Sequence, residues 1–426
     1  MIINLIYIGI VLIPFVVWPG MDTRVPKEIF GLGLALSSIL IALYQGKIKR
    51  FQNYWLLIFL GFAYLSVLLA PSFKEFIMAH GVKVGNNLEV SLLSNRPLSK
   101  LWMFTSLAKI TIYMLFIMVV ASIDIDLRQT NRLIFLMALS GLLTALYVII
   151  QQFKLDQVFH VVPPSVNPDL AFLDKPQIGG FMGQSTIVAN FLAMTIPFCL
   201  YLRKHIWSII IGIALCFTLS KVGIACGILG AFIYLMISRR KGCKVAALAL
   251  IPIVFFTVII LNKTGKLPVN RLSVVRSVRN MEDFKAFMNE EANGRFAEWG
   301  RIWETFTSEY EKRLQTVTGF GAGSYEMFYP VIRKNRWGDA HNDTLEMTFN
   351  FGIAGILILF MAVKHRFKEL MKIRNEQTGV LLCGLLTLYL CSLFSFPFKI
   401  PTTLFYGVVI IGLLHNNSIG GNHVKT

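Results

Sequence analysis

The sequence predicts an all-helical polytopic membrane protein with about twelve spans and one large outer loop. Three observations carry this expectation. Of the 426 residues 55% are hydrophobic and only 15% are charged, against about 25% charged in an ordinary soluble domain. The apolar residues gather in runs, several approaching the roughly 20 residues a helix needs to cross a bilayer. The chain is nevertheless basic, with 41 Lys and Arg against 23 Asp and Glu, a net charge of +18. An apolar fraction this high excludes a disordered chain or a nucleic-acid-binding tail, so the basic excess must find its place on a membrane protein.

The apolar runs are 1–18, 29–44, 54–70, 102–122, 133–152, 186–202, 206–219, 222–237, 245–261, 345–363, 379–396 and 401–415. The first has no basic n-region and no small-residue cleavage site, so it reads as a span and not as a signal peptide. Only Lys109 and Glu346 bring charge into these runs. Runs 206–219 and 401–415 are short for a straight crossing, so flanking residues must contribute or the bilayer must thin. Basic residues in short loops mark the cytoplasmic side. The strongest pins are Lys47-Ile48-Lys49-Arg50, Arg239-Arg240-Lys241 and Lys364-His365-Arg366-Phe367-Lys368. They put both termini inside, nine spans over 1–261, three over 345–426, and the segment 262–344 outside. That outer segment opens with Lys263, Lys266, Arg271, Arg276 and Arg279 before its first acid, Glu282.

Two features read as structural. Cys199, Cys216, Cys226, Cys383 and Cys391 lie in apolar runs and Cys243 in a basic loop, with no C-x-x-C pair. Such cysteines serve as small buried apolar groups, not as a zinc site or a disulfide framework. Asp124-Ile125-Asp126 is formally a D-x-D, but a ten-residue cytoplasmic loop with no folded domain around it makes it ordinary loop polarity.

The residues that could carry chemistry cluster on the outer side. Phe296, Trp299, Trp303, Phe306 and Tyr310 share one helix face, which could lie on the membrane interface or pack on the bundle. Arg295 borders that stripe, whereas Arg301 points away from it. Ser220-Lys221 sits in a tight outer turn between two runs. Lys221 could snorkel, or stand with Arg295 as a fixed charge able to hold a pyrophosphate. His341 lies just before a span, where an imidazole can accept a proton near neutral pH. Asp343, with Glu346 as its partner, is the expected cap of that span. The Gly319-Phe320-Gly321-Ala322-Gly323 run lacks the strand-to-helix setting of a dinucleotide site and reads as a flexible turn.

Five segments together resemble the bacterial O-antigen ligase and O-antigen polymerase superfamily. These are the run Gly179-Gly180-Phe181-Met182-Gly183-Gln184-Ser185-Thr186 leading to Pro197, the turn Leu219-Ser220-Lys221-Val222-Gly223, and Arg295-Phe296-Ala297-Glu298-Trp299. The glycine run at 319–323 is the fourth, and His341-Asn342-Asp343-Thr344-Leu345 with Gly352 and Gly355 is the fifth. Two departures stand out: Lys221 replaces the usual Arg and loses its bidentate fork, and Gln184-Ser185-Thr186 stands where Asn-Pro-Asn is common.

The resemblance implies a membrane-embedded glycosyltransferase of the lipid-phosphate-dependent, GT-C-like class, inverting and metal-independent, with no cofactor. The donor would be a glycan on undecaprenyl pyrophosphate, the partners a lipid A-core or second lipid-linked glycan acceptor and the lipid bilayer, with no nucleic acid. The site would lie on the periplasmic face of the inner membrane. His341 would be the general base, and Lys221 and Arg295 would bind the pyrophosphate, with Arg276, Arg279 and Arg301 as secondary candidates. Whether the product is a ligated or a polymerised glycan stays open. The rival reading is a flippase for a lipid-linked oligosaccharide that forms no bond. Carriers, however, tend to place polar groups at mid-membrane, and these runs are nearly free of charge. An intramembrane protease would need a buried Ser and His, or paired Asp, within the spans.

Overall fold

A computed structural model describes residues 1–18, 22–47, 53–71, 96–153, 155, 179–238, 295–306, 314–332, 340–372 and 375–420. Regular structure among the described residues is entirely helical: α1 Ile2–Leu12, α2 Arg24–Tyr44, α3 Tyr54–Leu69, α4 Arg96–Ser122, α5 Leu127–Gln152, α6 Ser185–Tyr201, α7 His205–Phe217, α8 Lys221–Ile237, α9 Arg295–Phe306, α10 Gln315–Thr318, α11 Ser324–Ile332, α12 Asp343–Lys372, α13 Glu376–Ser392 and α14 Pro401–Gly420. Every expected apolar run is a helix except 245–261, which lies outside the described residues. Four helices, Arg24–Tyr44, Ser99–Ser122, Leu127–Gln152 and Asp343–Lys368, are long and apolar enough to cross a membrane, and the remaining apolar helices are shorter.

The bundle is built around α6. Its sequence is apolar on every side, and residues 187–199 are all buried, as expected of a helix with no polar face. Helices α5, α7, α8 and α13 surround it. The main core joins it to α1, α2, α4 and α14. A second core, formed by α3, the N-terminal half of α4, α9, α11, α12 and the glycine run, includes Phe59, Met103, Ile302, Phe306, Phe320, Tyr325 and Phe349.

Charge inside this bundle is matched. Lys109 of α4 pairs with Glu28 in the second turn of α2, a stretch that the hydropathy pattern leaves in a loop. Lys27 is buried, and its ammonium donates to the carbonyls of Val16 at 2.7 Å and Phe181 at 2.8 Å. Phe181 also stacks on Tyr147, with ring centroids 3.7 Å apart. The 179–183 glycine segment is thereby clasped between the first two helices and α5.

Asp126 has a defined role. Its carboxylate accepts from Gln129 N at 2.6 Å, and the Gln129 side chain accepts from Asp126 N at 3.1 Å. This is a reciprocal capping box at the start of α5. Asp126→Ala should cost about 1 kcal/mol, read as a lower Tm of the solubilised protein.

Candidate functional site

The polar site residues converge on the turn at 393–396, which follows α13. Arg295, in the first turn of α9, donates from Nη1 to the carbonyl of Phe394 at 2.8 Å. Partial burial depresses its guanidinium below the ordinary value through lost hydration. Four residues on, Trp299 packs its ring at 5.9 Å from that of Phe394 and donates from Nε1 to the carbonyl of Ala340 at 2.8 Å. Ala340 precedes His341, whose ring lies 5.1 Å from that of Phe396. One helix and one turn therefore hold both Arg295 and the chain beside His341.

His341 has φ +51°, a left-handed conformation uncommon for residues with a Cβ. Its surroundings account for it. The next residue, Asn342, caps α12 by accepting from Leu345 N at 3.0 Å. This corrects the sequence expectation that Asp343 is the cap with Glu346 as its partner. Asp343 instead accepts from Phe398 N at 3.0 Å, and Glu346 pairs with Lys399 at 2.6 Å. Both acids are buried, because each has a partner supplied by the 397–399 turn.

Lys221 opens α8 and is exposed. Ser220 caps the helix, accepting from Gly223 N at 3.3 Å, and Leu219 adopts φ +55°. A Cβ on Gly223 would come within 2.5 Å of the Cβ of Ala189, so glycine allows this end of α8 to lie flat on α6. The next residue of α6, the buried Asn190, donates to Ser395 Oγ at 2.8 Å. The Lys221 end of α8 is thus tied through α6 to the turn that holds Arg295 and His341. Arg301 is exposed on α9. Arg276 and Arg279 lie outside the described residues.

The aromatic stripe is partly redrawn. Ile302 and Phe306 are buried and Trp299 is partly buried, but Trp303 is 50% exposed. The packed face runs through Arg295, Trp299, Ile302 and Phe306, and Tyr310 lies outside the described residues.

The glycine run is a fixed turn and not a flexible one. Gly319 has φ +75° and ψ −176°, and Gly352, within α12, has φ +65° and ψ −176°. Only glycine readily occupies that region. The two residues face each other: a Cβ on Gly319 would lie 2.5 Å from Gly352 N, and a Cβ on Gly352 would lie 2.5 Å from Gly319 N. Gly352 breaks α12, and the glycine run fills the break. Phe320 N donates to the carbonyl of Phe349 at 3.0 Å, and Gly321 N to that of Asn350 at 2.9 Å. Asn350 Oδ1 accepts from Ser324 Oγ and Tyr325 N, at 3.0 and 2.9 Å. The two glycine motifs, far apart in the chain, are halves of one contact.

Sequence reasoning missed Asn190, Ser395, Asn342, Lys399 and Glu326. A signal existed for two of them: Asn190 is the one amide in its apolar run, and Lys399 the one charge in the short link between the last two runs.

The fold and site define a helical multi-pass membrane protein whose histidine and cations gather at one end of the bundle. Residues 206–360, which contain Lys221, Arg295 and His341, match the family model described as O-antigen ligase, a match that supports membership of the O-antigen ligase and polymerase superfamily. That family is one of glycosyltransferase-like membrane enzymes, with a lipid-linked glycan and an acceptor as partners. No curated protein sequence matches the chain.

Proposed function

We propose that the protein transfers a glycan from undecaprenyl pyrophosphate to an acceptor hydroxyl on the periplasmic face of the bacterial inner membrane, within a twelve-span bundle with both termini inside. The observation that carries this reading is the convergence of Arg295 and His341 on the 393–396 turn, with the Lys221 end of α8 tied to the same turn through Asn190 and Ser395.

In this scheme His341 removes the proton from the acceptor hydroxyl. The freed oxygen attacks the anomeric carbon from the face opposite the leaving group, which inverts that carbon. The bond between the sugar and the pyrophosphate oxygen breaks, and the charge collects on the lipid pyrophosphate. Lys221 and Arg295 offset that charge at the membrane boundary, where a low dielectric strengthens their effect, so side-chain cations do the work a metal would otherwise do. Arg276, Arg279 and Arg301 are secondary donors to the same anion. The acceptor is a lipid A-core or another lipid-linked glycan.

The test is reconstitution in proteoliposomes with a lipid-linked pyrophosphate glycan and each acceptor in turn. Formation of a glycosidic bond supports the proposal. Movement of the donor across the bilayer with no bond formed overturns it in favour of a flippase. In a deletion strain, loss of all attached polymer with lipid-linked chains accumulating assigns the ligase reaction, and a single attached repeat assigns the polymerase reaction. Arg295→Ala and Lys221→Ala should each lower transfer by about 10²-fold, measured as initial rates at saturating acceptor. Lys221→Arg, which keeps the charge and adds the fork, should retain most of the rate.

A further inference from the structure

Lys399 is a lysine on the outer side, three residues past the turn that receives Arg295 and His341, and position alone would make it a third cation for the donor pyrophosphate. Its contacts say otherwise. Its ammonium lies between two carboxylates, Glu346 of α12 at 2.6 Å and Glu326 of α11 at 2.9 Å, and 5.8 Å above the ring of the buried Tyr325. The Lys399 side chain is 19% exposed and that of Glu346 only 6%. A charge held this way is neutralised and largely shielded from an incoming anion.

The same stretch, 396–399, holds His341 and the start of α12 at two further points. Phe398 N donates to Asp343 at 3.0 Å, and the Phe396 ring lies against the imidazole. The residues following His341 are thus fixed from outside their own helix, by one backbone bond and one buried ion pair. The left-handed backbone of His341 needs such over-determination, because strained conformations persist only where their surroundings hold them.

We infer that Lys399 is a positioning residue for His341: through Glu346, and with Glu326 as second partner, it clamps the 397–399 turn to the first turns of α12 and so sets the imidazole against the acceptor. It does not bind the donor. This rests on the proposed role of His341 as the base. A displacement of about 1 Å at a catalytic group costs roughly 10²-fold in rate, and a loosened clamp acts on the chemical step, not on donor capture.

The experiment uses the full chain in proteoliposomes, with transfer rates followed over a range of lipid-linked pyrophosphate glycan concentrations. Lys399→Gln keeps the length of the side chain and removes its charge, and Glu346→Gln does the same for its partner. Each should lower kcat by about 10–100-fold with the donor KM within about twofold of wild type. The double variant Glu346→Gln with Lys399→Gln should be no slower than either single one, because the two changes break one interaction. Lys399→Arg should recover most of kcat, and it supplies the comparison if the Gln variants fold poorly. A donor KM raised tenfold or more with kcat retained would make Lys399 a donor-binding cation and overturn the inference. Losses that multiply in the double variant, or an unchanged kcat, overturn it as well. Failure of the underlying reading is distinguishable: it shows as no transfer by the wild-type chain, or as full transfer by a His341 variant.

Discussion

His341→Asn is expected to lower glycan transfer by about 10²–10⁴-fold with the protein still folded. Asparagine is the informative replacement. The position holds φ +51°, and Asn tolerates the left-handed region better than most residues. The backbone next to the Asn342 cap and the Trp299 bond to Ala340 is therefore undisturbed, and what is lost is the imidazole. In the proposed scheme, without a proton acceptor the attacking hydroxyl stays neutral and weakly nucleophilic, while Lys221 and Arg295 would still stabilise the leaving pyrophosphate. A residual rate above background is expected for that reason, with donor binding unaffected. Initial rates in proteoliposomes, alongside monodispersity and Tm of the solubilised variant, decide it. A variant that transfers at the wild-type rate removes His341 from the mechanism.

Gly352→Ala is expected to be the most damaging single methyl in the described chain, costing about 3–5 kcal/mol. The new Cβ would stand 2.2 Å from the carbonyl oxygen of Val317 and 2.5 Å from Gly319 N. Both neighbours are backbone, so no side chain can swing aside. The residue would also have to occupy φ +65° with ψ −176°, a region essentially closed to L residues. Relief requires either straightening α12 or expelling the glycine run. Either breaks the bonds from Phe320 and Gly321 to the carbonyls of Phe349 and Asn350. The expected readout is loss of folded protein from membranes, or a Tm lowered by many degrees, with activity falling in parallel. Gly61, where an added Cβ meets nothing within 4 Å, is the matched control on α3. A Gly352→Ala protein as stable as the Gly61→Ala protein would show that the contact is not needed.

The helices were legible because bilayer-length apolar runs have few other solutions. The broken helix was not, since hydropathy carries straight through Asn350 and Gly352. The function of the 319–323 run was hidden for the same reason: three glycines announce positive φ but not the partner that requires it. His341 and Arg295 could be singled out as polar residues bordering apolar segments, and they do share a turn. The turn itself, 393–396, reads as the apolar end of a span, so its service through the Phe394 carbonyl and the Phe396 ring left no mark in residue type. The capping assignment failed because Asn342, Asp343 and Glu346 are all competent at a helix start. Only the position of the 397–399 turn, remote in sequence, decides which of them is free to cap.

The contact between Ser66 and Asn350 spans 284 residues, with Ser66 Oγ donating to the carbonyl at 3.1 Å. Chains grow at about 5–20 residues per second, so the two ends meet roughly 15–60 s apart. Through that interval the part of α3 that packs on α12 has only α4 beside it. The second core can close only once α12 has been made, and the contact of Phe396 with His341 only once the turn at 393–396 has followed. A chain stopped just before α12 therefore keeps the main-core residues of α1, α2 and α4 to α8 but lacks Phe349 and Phe351 of the second core.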